Sequence, residues 1–283
     1  MKSLKDCYTL SNGVKIPCIG FGTWLLSDED SCEAVKNAVK VGYRHIDAAA
    51  FYQNQVGVGR GIRECGVPRE ELFVTSKVWN SHQGYDATMA DFEKTMKELD
   101  IGYLDLYLIH WPIPKGHGHD WQQLNASTWK AFEALYNAKR IRAIGVSNFL
   151  PHHLEPLMEV ANIKPMVDQV EFHPACHEDE TVAYCKEHDI LVEAWGPLMQ
   201  GKAFSNELLK EMAAKYNKSI AQICLRWELQ RGILPLPKAS TVEKMKNNAD
   251  IFSFEISAED MATINTLGKI GRLGRHPDHF DLD

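Results

Sequence analysis

His45-Ile46-Asp47-Ala48-Ala49-Ala50-Phe51-Tyr52 follows Val41-Gly42-Tyr43-Arg44 and reads as a short strand that ends at Asp47 and opens into a loop. Alone, a carboxylate at a strand end with a tyrosine close behind says little. Two later stretches give it meaning. Phe73-Val74-Thr75-Ser76-Lys77 is an apolar strand ending in a lysine, and Leu104-Asp105-Leu106-Tyr107-Leu108-Ile109-His110 is one ending in a histidine. Three strands each deliver one ionisable side chain at the C-terminal end, with Tyr52 in the loop after the first. Parallel α/β barrels build their active sites from such strand ends.

Outward from these strands the same alternation continues. Ser11-Asn12-Gly13 joins two short apolar runs, 8–10 and 14–16, and the Asn-Gly pair predicts a hairpin placed to plug one end of a barrel. A strand over 18–24 runs into a glycine-rich turn. Further strands are predicted over 141–146, 166–171, 190–194 and 233–236. Helical spacing appears over 27–40, 56–64, 85–99, 126–138, 153–160, 179–188, 207–216, 220–230, 242–248 and 258–267. A long loop, 111–123, precedes the fourth of these helices. Eight apolar strands alternating with helices predict an α/β fold, a single (β/α)8 TIM barrel with an N-terminal β-hairpin plug, residues 1–283 forming one domain. A doubly wound open sheet is the alternative, and it usually carries Gly-x-Gly-x-x-Gly after its first strand. Gly57-Val58-Gly59-Arg60-Gly61 has the wrong spacing and falls inside a predicted helix.

The bulk numbers exclude some functions. A net charge of −7 and a pI near 6.0 argue against a nucleic-acid or anionic-membrane partner. No apolar run is long enough to span a bilayer, and Met1 to Asp6 lacks the apolar core of a secretory leader. The seven cysteines are odd in number and include no Cys-x-x-Cys, which predicts reduced thiols in a cytoplasmic protein.

Taken together, Asp47, Tyr52, Lys77 and His110 suit carbonyl reduction. A tyrosine hydroxyl holds its proton at neutral pH, and a nearby lysine cation lowers its pKa by stabilising the phenolate. Tyr52 beside Lys77 is then placed to protonate a developing alkoxide. Asp47 would pair with Lys77 and keep it charged, while His110 orients the same oxygen. Each residue also has a plainer reading: a rim salt bridge for Asp47, a wet loop tyrosine for Tyr52, a charged strand end for Lys77, a satisfied core histidine for His110. Their coincidence at matched positions on consecutive strands favours the catalytic one.

The sequence strongly resembles the aldo-keto reductase family over nearly its whole length. Gly20-Phe21-Gly22-Thr23-Trp24, Asp47 to Tyr52, Lys77 with Trp79-Asn80, and His110-Trp111-Pro112 match its signatures. So do Gly145-Val146-Ser147-Asn148-Phe149 and Gln169-Val170-Glu171-Phe172-His173-Pro174. The likeness is greatest to the bacterial 2,5-diketo-D-gluconate and methylglyoxal reductases. It implies that Tyr52 is the acid, Lys77 and Asp47 its tuners and His110 the carbonyl orienter. It implies an NADPH site without a Rossmann fold: Ser147, Asn148 and Gln169 on the nicotinamide amide and Trp195 stacked on the ring. Gly22, Thr23 and Asp47 belong to the same site. Gly196 and Leu198 would line the pyrophosphate tunnel, with Lys202 nearby.

The adenosine end departs from the family pattern. Pro237-Lys238-Ala239-Ser240-Thr241 stands where Pro-Lys-Ser-Val-Thr is common, and Lys244 occupies an arginine position. Lys238, with Ser240 nearby, is suited to a 2′-phosphate, whereas Lys244 lacks the planar fork that grips phosphate and stacks on adenine. Asn248 matches an adenine contact. NADPH is therefore expected to bind more tightly than NADH, by a smaller margin than in an arginine-bearing relative. Ala48 stands where threonine is common, and Gln55 replaces a glutamate, which would loosen a clasp on the cofactor. Trp24, Trp79 and Trp111, with Phe51, would form an aromatic pocket for a small carbonyl compound. The 111–123 loop, with His117, His119 and Trp121, would supply one wall, and a short tail carrying Arg272 and Arg275 either meets an anionic substrate or is solvated. The resemblance implies a monomer.

Two other functions compete. A zinc hydrolase would use His173, Cys176 and His177, or His117 and His119, although their spacing fits no standard constellation. An NADPH-binding sensor with little turnover would keep the same fold.

Overall fold

The computed structural model describes residues 1–279, so positions 280–283 of the expected 1–283 domain lie outside the described residues. At the N-terminus, β1 (Cys7–Thr9) and β2 (Lys15–Pro17) pair antiparallel with Tyr8 opposite Ile16. Asn12 fixes the turn: its Oδ1 accepts from the Val14 amide at 3.1 Å, and its Nδ2 donates to the Arg142 carbonyl at 2.9 Å. Arg142 lies at the start of β7 (Ile141–Ser147), so the hairpin sits across the N-terminal end of the main sheet. Ile16, Cys18 and Ile19 are buried there. The hairpin plug is as the Asn-Gly pair predicted.

Among the described residues, eight parallel strands follow in chain order: β3 (Phe21–Gly22), β4 (His45–Asp47), β5 (Phe73–Val78), β6 (Leu104–Ile109), β7, β8 (Val167–Glu171), β9 (Leu191–Trp195) and β10 (Leu234–Pro235). The first and last meet. The Gly20 amide donates to the Pro235 carbonyl at 3.0 Å and the Gly22 amide to the Pro237 carbonyl at 3.1 Å, closing the (β/α)8 barrel. Both seam strands are shorter than the sequence predicted. Pro235 and Pro237 have no N–H to return, so the ladder here runs one way. The middle of the barrel is regular, and every residue of β5 and β6 is buried.

The helices pack outside. α1 (Asp28–Val41) starts as its serine and acidic first turn predict: Ser27 Oγ accepts from the Asp30 amide at 3.0 Å. α2 (Gln55–Glu64) and α3 (Tyr85–Leu99) also stand within a residue of expectation. The larger departure is α4 (Trp121–Asn137), which begins five residues before the predicted start at 126. Its polar first turns looked like loop. In the fold Asn125 Nδ2 donates to the Pro112 carbonyl and Thr128 Oγ1 accepts from the Gly84 amide. The Asn125 side chain is thereby drawn away from the helix backbone, while Thr128 Oγ1 also donates to the Leu124 carbonyl of its own helix at 3.0 Å. The connection after β6 is correspondingly shorter. α5 (Pro151–Val160), α6 (Asp179–Glu187), α7 (Glu207–Tyr216), α8 (Ile220–Gln230), α9 (Val242–Ala249) and α10 (Ala258–Asn265) follow in chain order.

The glycine cluster of α2 has a packing role. A Cβ at Gly57 would lie 1.7 Å from the Asp28 carbonyl oxygen, and one at Gly59 2.0 Å from that of Leu99. Without Cβ atoms, α2 presses directly onto α1 and the end of α3. Gly59→Ala should therefore cost about 1–3 kcal/mol through overpacking against backbone. Thermal unfolding checks this, and a midpoint equal to wild type would contradict it.

Candidate active site

The C-terminal ends of β4, β5 and β6 bring the four sequence-predicted residues together. Lys77 Nζ is fully buried and donates to Asp47 Oδ1 and Oδ2 at 2.8 and 2.9 Å, to the Ala48 carbonyl at 3.0 Å, and to the Tyr52 hydroxyl at 3.3 Å. Tyr52 ends a short 3-10 turn, Ala50–Tyr52, that the loop after β4 makes. The His110 ring lies 5.9 Å from that of Tyr52, centroid to centroid, and edge-on to Trp79 at 5.1 Å.

Burial lowers the proton affinity of Lys77, but Asp47 and Tyr52 outweigh it, so its pKa stands above the ordinary lysine value and the group is a cation. Burial pushes the Tyr52 hydroxyl up, and the opposing pull of Lys77 does not cancel it. The net shift is upward, opposite to the lowering expected from the lysine alone. Tyr52 therefore enters any reaction protonated. Burial, and then the Lys77 charge, hold His110 well below its ordinary value, so its imidazole is neutral at pH 7.

Around these groups lies a cavity of ≈ 850 Å³. Asp47, Tyr52 and His110 reach its wall, while Lys77 stands behind them. Trp24, Trp79 and Trp111 line one side, and Phe51 stacks on Trp79 at 3.8 Å. Ser147, Asn148, Gln169, Trp195 and Gly196 line another. These are tightly set. Ser147 Oγ donates to the Gln169 carbonyl at 2.7 Å, and Asn148 Nδ2 donates to the His110 carbonyl at 3.0 Å. Trp195 Nε1 donates to Asn148 Oδ1 at 2.7 Å. Asn148 has φ 64°, a left-handed conformation that asparagine tolerates better than most residues. Gln169 Nε2 donates to Asp47 Oδ1 at 2.9 Å and to Glu193 Oε2 at 2.9 Å.

Gly22, Leu198 and Lys238 extend the cavity past the seam. Thr23 is buried beside it, donating from Oγ1 to the Asp47 carbonyl at 2.8 Å. Ser240 and Lys244 are exposed near the start of α9 and Asn248 is buried in that helix; the cavity does not reach them.

Several expectations are corrected. His117, His119 and Trp121 do not line the cavity: His117 bonds Asp120 at 3.0 Å and Trp121 packs edge-on to His153. The far wall instead comes from Leu25, from Gln200, Gly201 and Phe204, and from the tail; Lys202, expected nearby, is not in the lining. That tail is not simply solvated. The Leu273 and Gly274 amides donate to Glu171 Oε1 at 2.7 and 3.0 Å, and Leu273, Gly274 and Arg275 line the cavity. Arg272 is committed to Glu178 Oε1 at 2.5 Å and to Glu171. Gln55 links neighbouring elements and does not line the cavity. It accepts from Ser76 Oγ at 2.6 Å and donates to Glu98 Oε2 at 2.8 Å.

Sequence reading missed Glu193, Leu236, Leu273 and Gly274; of the tail it named Arg272 and Arg275, and Arg275 stands at the cavity wall. Glu193 carried a signal, a carboxylate in the middle of an apolar strand; Leu273 and Gly274 carried none. The zinc candidates have other partners: His173 Nε2 bonds Glu171 at 3.0 Å and His177 Nε2 the Pro174 carbonyl at 2.9 Å. His152, His153 and Asp278 do cluster. His153 Nδ1, however, accepts from the Leu150 amide at 3.0 Å, which leaves the proton of the neutral ring on Nε2, facing Asp278.

Residues 18–269 match the aldo/keto reductase family. A glyoxal reductase of Bacillus subtilis (strain 168) is 53% identical over 279 residues, covering 98% of each chain. The methylglyoxal reductase DkgA of Yersinia pestis is 38% identical over 283 residues, covering 99% of each. The crystal structure of a Gox0644 mutant in complex with NADPH superposes with a TM-score of 0.89 at 36% identity, covering 96% of this chain and 97% of that one. With the strand-end tetrad, the closed barrel and this extent of likeness in agreement, the chain belongs to the aldo/keto reductase family.

Proposed function

We propose that this chain reduces small aldehydes and ketones, methylglyoxal and related dicarbonyls among them, with NADPH as hydride donor. The observation that carries the reading is the Asp47–Lys77–Tyr52 hydrogen-bonded chain, which ends at a protonated hydroxyl on the wall of an aromatic cavity.

The residues fit a nicotinamide nucleotide. Trp195 offers a half-buried indole face held by its bond to Asn148, and Ser147, Asn148 and Gln169 offer amide-binding groups beside it. Gly196, with φ 67° and open space where a Cβ would stand, leaves room for a pyrophosphate to pass. Lys238 offers a cation at the far end. When bound, the reduced nicotinamide supplies a hydride to the carbonyl carbon. Tyr52 gives its proton to the carbonyl oxygen, Lys77 stabilises the phenolate that remains, and Asp47 holds Lys77 in place. Neutral His110 bonds the same oxygen and orients it. The Trp79, Trp111 and Phe51 rings exclude water from the reacting carbonyl.

Oxidation of NADPH, followed with methylglyoxal, glyoxal and a panel of aldehydes and diketones, tests the reading. Tight NADPH binding with no turnover of any carbonyl would sink it and leave the sensor function. NADPH should bind more tightly than NADH, and Lys238→Ala should weaken NADPH about 10-fold with little effect on NADH, as for loss of one charged hydrogen bond. Equal losses for both nucleotides would assign Lys238 elsewhere. We read the chain as one domain acting as a monomer in the cytoplasm, a compartment consistent with its seven free cysteines.

A further inference from the structure

Gln169 has one amide nitrogen with two hydrogens, and both are committed. One goes to Asp47 and the other to Glu193, each at 2.9 Å. The two residues are neighbours across the β8–β9 ladder, Gln169 in register with Glu193. Oε1 is therefore the polar atom that Gln169 has left for the cavity. Glu193 itself is wholly buried and has no other hydrogen-bond partner: its Oε1 is unpartnered.

We propose that Glu193 is a positioning residue for the nicotinamide carboxamide, acting by holding Gln169 with its carbonyl oxygen turned into the cavity. This rests on the cofactor reading above. Asp47 alone would hold one hydrogen and leave the amide free to swing about that bond; the second acceptor, on the adjacent strand, fixes its plane. An amide so fixed accepts from a carboxamide NH2 without first paying for its own ordering.

Glu193 also carries a titratable proton next to the site. Among the groups that face it, His45 and Asp47 come from β4, Lys77 from β5 and Asp168 from β8. Its β10 partner, Leu234, is uncharged. Lys77 is bonded to Asp47 and not to Glu193, and His45 Nε2 lies 4.0 Å away while bonding Thr75 Oγ1 at 3.0 Å. Burial, then repulsion from Asp47, push Glu193 up to about 8. At pH 7 it is mostly neutral. Above about 8 it becomes an anion bonded to Gln169, and an anion there favours the cationic oxidised ring over the neutral reduced one. The ratio Kd(NADP+)/Kd(NADPH) should therefore fall as pH rises through this value. Groups that touch only the phosphates cancel in that ratio.

The test is to measure both dissociation constants by tryptophan fluorescence quenching from pH 6 to 9.5 in wild type, Glu193→Gln and Glu193→Leu, with circular dichroism as the folding check. Glutamine keeps an acceptor for Gln169, so its NADPH affinity at pH 7 should stay within about 2-fold of wild type; leucine removes the acceptor and should weaken it about 3- to 10-fold. The ratio should fall about 3- to 10-fold with pH in wild type and stay flat in both variants. A leucine variant that binds like wild type, or a glutamine variant that follows the wild-type pH curve, overturns the inference. If the leucine variant does not fold, the glutamine comparison decides. Wild type that binds neither nucleotide overturns the cofactor reading itself, whereas normal wild-type binding with unaffected variants overturns this inference alone.

Discussion

Tyr52→Phe should lower kcat for carbonyl reduction by about 10²–10⁴-fold, the usual worth of a positioned acid, while NADPH affinity changes little. The substitution removes one oxygen and leaves the ring against His110 and the Lys77–Asp47 pair intact. Its effect is therefore confined to the proton that reaches the substrate oxygen. The pH dependence follows from the same environment. As the proposed acid, Tyr52 acts in its protonated form, and its pKa lies above the usual tyrosine value, so activity from this group should persist through neutral pH and be lost only on the alkaline side. His110, held well below the ordinary imidazole value, should add no acidic limb near 6.5. Steady-state kinetics alongside direct binding measure all of this. A phenylalanine variant within 10-fold of wild-type kcat would remove Tyr52 from the acid's role.

Lys77→Met should damage both chemistry and stability. Nothing then stabilises the phenolate as Tyr52 releases its proton. The fold also keeps Asp47, 4% exposed, with no cation against it. Breaking a buried ion pair from one side costs about 3–5 kcal/mol, which in a chain of this size lowers the thermal midpoint by roughly 10 °C. A second variant separates the effects. Lys77→Met combined with Asp47→Asn removes the stranded charge, so it should recover part of the stability and none of the activity. The sign for wild type is also fixed. Lys77 has a folded pKa raised above its unfolded value, so its contribution is complete below about 10.4 and is lost as pH climbs through the folded value. Calorimetry on the single and double variants decides this. An equally stable single variant would show that the pair adds nothing to folding.

The barrel and its tetrad were legible because they depend on short-range facts: apolar runs of strand length, and one ionisable residue at the end of each. The ends of elements were less so. α4 starts early because Asn125 and Thr128 find partners distant in sequence, and no local pattern encodes that. The direction of the Tyr52 shift was misread for a related reason: sequence supplies the neighbouring lysine but not the depth of burial that outweighs it. The tail illustrates the same limit. Glu171 looked like one residue of a strand motif, yet it gathers the Leu273 and Gly274 amides from about a hundred positions away.

The seam between the first and last strands has a further consequence. Gly20 and Gly22 meet Pro235 and Pro237 through two one-way backbone bonds, and some two hundred residues separate the partners. The ring cannot close until nearly all of the chain has been made, so closure belongs to the slow, non-local end of folding. The cavity crosses this line, with Gly22 on one bank and Leu236 and Lys238 on the other. An occupant spanning both banks acts as a rivet across the joint, and by mass action it also protects the whole ring against unfolding. Supply of the bound nucleotide and lifetime of the folded chain would then be a single variable.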